Sequence, residues 1–61
     1  MYVDVCYDKV VCETELAINL LFDDETIWIP KTVILEIDMD EQIITIQESV
    51  AIDKNLDMYI V

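Results

Sequence analysis

A mainly β fold is what this sequence predicts: a small antiparallel barrel or sandwich of five or six short strands, with one short helix near the C-terminus. Three observations carry that expectation. β-Branched and aromatic residues dominate from Tyr2 to Gln47, in short runs interrupted by acidic clusters. Within the runs, apolar residues recur at period two, the spacing of one face of a strand. The chain has 61 residues, which allows a single small acidic domain over residues 1–61.

The elements follow in order. Tyr2 to Tyr7 alternates, with Val3, Val5 and Tyr7 on one face and Tyr2, Asp4, Cys6 and Asp8 on the other. Asp8-Lys9 breaks the pattern before Val10-Val11-Cys12. Leu16 to Phe22 puts Leu16, Ile18, Leu20 and Phe22 on one face and Ala17, Asn19 and Leu21 on the other. Asp23-Asp24-Glu25 forms a tight polar turn. The chain has no glycine, so Asp24 is assigned the left-handed backbone position, which aspartate tolerates. Thr26 to Ile29 is the partner strand, and Pro30, unable to donate to a ladder, marks its end or a free edge. Thr32 to Ile37 follows, with Val33, Leu35 and Ile37 on one face and Ile34, Glu36 and Asp38 on the other. Asp38-Met39-Asp40-Glu41 turns the chain into Gln42 to Gln47, where Ile43 and Thr45 oppose Ile44 and Ile46. At Glu48 the pattern changes. Ser49 is placed as the cap of a short helix running to Leu56, with Asn55 as its C-terminal stop. Met58 to Val61 reads as a final strand, because an apolar end is more often paired than left in water.

Composition narrows the function classes. There are 14 acidic residues against 3 lysines, no arginine and no histidine, for a net charge of -11, yet 56% of residues are hydrophobic. So many apolar side chains argue against a disordered acidic tail. The charge argues against direct binding to nucleic acid or to an anionic membrane, since both call for cationic side chains. Without histidine the commonest general base is missing. No nucleophile–base arrangement and no phosphate-cradling glycine loop is present, so neither an enzyme nor a cofactor is expected. Cys6 and Cys12 read as reduced, packed thiols rather than as a disulfide framework or half of a zinc site. Asp38, Asp40 and Glu41 lack the glycine that a calcium loop turns on, so no metal is expected. The acidic start and the want of an apolar run of about 20 residues make the cytoplasm the expected location. A domain this small and this apolar is expected to gain support from a second copy, as a symmetric homodimer.

Two features carry a binding role. Glu36, Asp38 and Asp40 stand at i, i+2 and i+4, which in an extended strand places them on one face about 6.6 Å apart. That is comparable to the spacing of phosphates along a nucleic-acid strand. Asp23 and Glu25 repeat the spacing, with Asp24 between them and Glu41 beyond Asp40. Such rows imitate a nucleic-acid backbone and suit a basic, nucleic-acid-binding protein surface. The plainer reading is a solvated acidic surface. Against it, a net charge of magnitude about 2–8 suffices for solubility, and this chain exceeds that. Trp28 is the second feature, either a core tryptophan of the small sheet, the commoner role, or a partner-binding anchor. Period two turns it away from Ile27 and Ile29.

Three segments carry a resemblance: Glu13-Thr14-Glu15-Leu16-Ala17-Ile18, then the acidic turn Asp23-Asp24-Glu25, then Trp28-Ile29-Pro30-Lys31-Thr32. The chain there resembles a group of short phage and prophage proteins with the pattern Glu-Thr-Glu-x-Ala-Ile followed by Trp-Ile-Pro-Lys-Ser/Thr. Ile43 to Gln47, Val50-Ala51 and Asn55-Leu56 resemble the last strand and short helix of the same group. Leu16 stands where such proteins often have a basic residue, and Asp24 near where they have glycine. The resemblance implies a phage-encoded small β protein and supplies no activity of its own. With the charge, it leads to an expected inhibitor of a bacterial defence nuclease complex, of anti-CRISPR or anti-restriction type. Its expected partner is a nucleic-acid-handling complex in the host cytoplasm, met through Asp23, Asp24, Glu25, Trp28, Glu36, Asp38, Asp40 and Glu41. The alternative is a structural or adaptor protein of a phage module that self-assembles through strand edges.

Overall fold

Alternation becomes six strands in the computed structural model, which describes Met1–Val61. They are β1 (Tyr2–Cys6), β2 (Lys9–Glu13), β3 (Ala17–Phe22), β4 (Glu25–Pro30), β5 (Ile34–Asp38) and β6 (Ile43–Gln47). One helix, α1 (Glu48–Asp53), follows, and short 3-10 turns occupy Lys31–Val33 and Asp57–Tyr59. The strands form two antiparallel sheets, ordered β1-β6-β5 and β2-β3-β4. The predicted mainly β class is therefore found, with six strands. The barrel does not close: no backbone hydrogen bond joins β2 to β5. No helix is long and apolar enough to cross a membrane.

The inward faces are those the alternation marks. Val5, Tyr7, Ile18, Leu20, Phe22, Ile29, Ile44 and Ile46 are buried between the sheets, joined by Ala51 and Leu56. Each large side chain removed from water contributes about 1.5–3 kcal/mol, which is what offsets the entropy of ordering so short a chain. The helix packs against β1 and β6 and drops Ala51 into the core. Tyr59 then reaches across to stack on Phe22, with ring centroids 5.3 Å apart and planes inclined at 38°. The C-terminal segment thereby spans from one sheet to the other.

Several expectations are corrected. Asp23, not Asp24, takes the left-handed conformation, at φ 58°. A positive φ at the first of two loop residues is the backbone that two-residue hairpins favour, because it fits the twist of the flanking strands. Gln42 is likewise left-handed and lies outside β6, while Asn55 stops the helix in that conformation as expected. Leu16 does not share the inward face of Ile18; it is 81% exposed in a turn. There the Thr14 hydroxyl accepts from the N–H groups of Leu16 and Ala17. Lys31–Val33 forms a 3-10 turn instead of opening a strand, and a bulge between Ile34 and Glu36 shifts the phase of β5. Ile34 and Ile37 therefore face in, and Leu35 is 63% exposed. Gln47, without a side-chain cap bond, precedes α1 where Ser49 was expected. Met58–Val61 is not a strand. Ile60 makes one bridge to Val5, and the Val61 N–H donates to the Asp4 carbonyl at 3.0 Å. Cys6 and Cys12 are free and exposed rather than packed, because both fall on outward faces.

Candidate functional site: an acidic pole

Three connections meet at one end of the molecule. Tyr7-Asp8 joins β1 to β2, Asp23-Asp24 joins β3 to β4, and Met39–Gln42 joins β5 to β6. Backbone bonds hold them together: the Tyr7 N–H donates to the Gln42 carbonyl at 2.9 Å, and the Asp8 N–H to the Leu21 carbonyl at 2.8 Å. Side chains complete the tie. The Asp23 N–H donates to Asp8 Oδ2 at 2.8 Å, and Gln42 Nε2 donates to the Asp8 carbonyl. Asp8 thus pins the other two loops to its own. The result places Asp8, Asp23, Asp24, Glu25, Asp38, Asp40 and Glu41 at a single pole, all exposed.

The turn after β5 explains why one predicted row breaks. Asp38 Oδ1 accepts from the N–H groups of Asp40 and Glu41, both at 3.0 Å. This side-chain cap bends the chain out of the strand at Asp38. Asp40 therefore does not continue the strand-face row of Glu36 and Asp38; it lies in the turn. The row instead runs across the sheet. Asp4 pairs with Thr45, and Glu36 pairs with the same Thr45 from the other side. Asp4, Glu36, Asp38, Ile43 and Thr45 line a shallow depression of about 200 Å³ on the outer face of the first sheet. Thr45 Oγ1 donates to Asp4 Oδ1 at 2.6 Å. Asp4 and Asp8 were not among the predicted site residues. The period-two outward position of Asp4 is a usable signal for it; the role of Asp8 depends on contacts distant in sequence.

Electrostatics bear the crowding out. The Tyr59 hydroxyl donates to Asp23 Oδ2 at 2.7 Å. That bond first, then burial, then the charges of Asp23, Glu25 and Asp24 push the phenol up to about 12. Tyr7 is also raised, by burial first and by the Asp38 charge second. Of the three lysines, Lys31 is paired with Glu13 at 2.6 Å, and Lys9 directly follows Asp8. Counting Asp4 and Glu36 on the adjoining sheet face, nine of the 14 acidic residues lie on the pole or beside it. The pole's carboxylates do not converge into a metal-holding group of three or more.

Trp28 is placed elsewhere. It pairs with Asn19, which pairs with Cys12, in one row across the outer face of the second sheet. Trp28 is 46% exposed, so it is not a core tryptophan. The side-chain oxygen of Asn19, at the middle of that row, is buried without a hydrogen-bond partner. The structure therefore brings the predicted carboxylates Asp23, Asp24, Glu25, Glu36, Asp38, Asp40 and Glu41 into one continuous surface, and sets Trp28 on a separate apolar face. No family model, no curated protein and no solved structure matches the chain.

Proposed function

We propose that the acidic pole binds a basic protein surface that otherwise takes nucleic acid, and that the chain is a phage-encoded inhibitor of a bacterial defence nuclease complex, of anti-CRISPR or anti-restriction type, acting in the host cytoplasm. The observation that carries this reading is the convergence of three loops through Asp8, which concentrates carboxylates in one place instead of spreading them. A scattered acidic surface would serve solubility alone. A one-sided field draws a cationic groove and repels polynucleotides. On this reading the protein is a binding protein with no catalytic residue, cofactor or metal. Two copies pair through the outer face of the second sheet, where Trp28 is exposed and carboxylates are sparse. Self-assembly through the β5 edge, as in an adaptor, fits less well, because that edge carries Glu36 and Asp38 and like charges set opposite each other are destabilising.

The test is expression of the chain in a bacterium that carries a CRISPR or restriction system, challenged with a phage which that system targets. Phage plating should rise with the intact chain. It should fall back with the triple variant Glu36→Gln, Asp38→Asn, Asp40→Asn. Equal plating with and without the chain across a panel of such systems would sink the inhibitor reading.

A further inference from the structure

The open seam of the barrel offers a second feature. Along β5 lies a groove of about 350 Å³, lined by Ile18, Ile34, Ile37 and Met39 and flanked by the Glu13–Lys31 pair and Glu36. The Ile34 N–H donates to the Lys31 carbonyl, and beyond it β5 has β6 as its one strand neighbour, which leaves its outer edge without a strand partner. Leu35 and Met39, 63% and 59% exposed, stand at its rim. An unpaired edge beside an apolar trough is the geometry into which an extended peptide adds as a strand.

The chemistry of the edge decides what fits. In β5, Glu36 and Asp38 stand two apart and face outward, while Ile34 and Ile37 face the groove. A second copy of β5 laid antiparallel on this edge would set Glu36 and Asp38 against their own counterparts, which is repulsive. A strand with lysine or arginine at every other position would instead place its cations beside Glu36 and Asp38. Its intervening apolar side chains would enter the groove. The two carboxylates thus disfavour self-pairing and favour a cationic strand.

We infer that β5 is a strand-addition site for an extended segment of alternating cationic and apolar residues, supplied by the basic partner. This rests on the reading of the acidic pole as a basic-surface binder and names how that partner engages. The backbone of the segment supplies affinity, and its alternation supplies selectivity.

The experiment uses the full chain and three probes: a synthetic peptide of alternating lysine and valine, the same peptide N-methylated at every backbone amide, and poly-lysine. Affinity is measured by calorimetry, and amide hydrogen exchange locates the bound segment. The alternating peptide should bind, protect the amides of Ile34–Asp38, and lose about tenfold in affinity on N-methylation, which keeps charge and side chains but removes the ladder donors. Equal binding of the two peptides, or protection away from β5, overturns the strand-addition site. So does failure of the alternating peptide where poly-lysine is captured, a result that leaves the acidic-pole reading standing. Capture of none of the three overturns both.

Discussion

The carboxylate of Asp8 accepts a hydrogen bond from the backbone N–H of Asp23 at 2.8 Å, across the boundary between two loops that carry the same sign of charge. The bond sets two acidic segments side by side against their mutual repulsion. Replacing Asp8 separates its two effects. Asp8→Ala removes the acceptor and should destabilise the fold by about 1 kcal/mol. Asp8→Asn keeps an acceptor oxygen, lowers the repulsion, and should leave stability within about 0.5 kcal/mol of the parent. Urea denaturation of both variants checks this.

Charge crowding makes stability depend on salt. Screening shortens from about 30 Å at 0.01 M to about 8 Å at 0.15 M ionic strength, so repulsion at the pole weakens as salt is added. The melting temperature should rise over that range. A gain of 1 kcal/mol corresponds to about 4–8 °C in a domain of this size. A calorimetric melt at each salt concentration reads it, and a flat or falling trend would argue against a strained acidic end.

Tyr59 gives a prediction at alkaline pH. Its folded pKa, about 12, lies above the 10.0 of an ordinary tyrosine in an unfolded chain. The folded state therefore holds the proton more tightly. This stabilisation is fully present below pH 10, and it is lost as pH rises through 12. A phenolate absorbance titration should show a late component that disappears in Tyr59→Phe. The same variant removes the bond to Asp23 and should loosen the C-terminal segment, seen as faster exchange of the Val61 amide, which donates to Asp4.

The two sheets' outer and inner faces differ in what they tolerate. Leu20 is wholly buried, and Leu20→Ala should cost about 2–5 kcal/mol. Trp28 stands on the outer face, and Trp28→Ala should cost less than about 1 kcal/mol in the monomer. If two copies meet on that face, Trp28 emission shifts to the blue with rising concentration, and Trp28→Ala abolishes dimers in light scattering.

What was legible in the sequence was what is local. Ile18, Leu20 and Phe22 face the core because period two within one strand fixes them, and the turn at Asp23-Asp24 was visible in its polarity. The carboxylates of the site were legible as residues, not as an arrangement. Asp40 leaves the row because the Asp38 side chain caps the turn, an interaction that competes with strand geometry over three residues. The start of β5 departs from strict alternation because the bulge at Leu35 turns Ile34 inward and Leu35 outward, whereas Ile37, Glu36 and Asp38 keep the faces that period two gives them. The convergence at the pole was out of reach, since it depends on Asp8 meeting Asp23 and Gln42, fifteen and 34 residues away. Met58–Val61 failed for a related reason: Tyr59 is held by Phe22 and Asp23, and a turn serves that geometry better than a strand.

The most direct measurement compares two triple variants of equal charge on an immobilised cationic protein surface. One neutralises the pole, with Asp24→Asn, Glu25→Gln and Glu41→Gln. The other neutralises carboxylates away from it, with Glu15→Gln, Glu48→Gln and Asp53→Asn. The dependence of affinity on salt is recorded for each. A partner-binding pole predicts weakened affinity and a shallower salt slope for the first variant, with the second close to the parent. Equal losses from both variants would mean that only total charge matters, and would contradict the account.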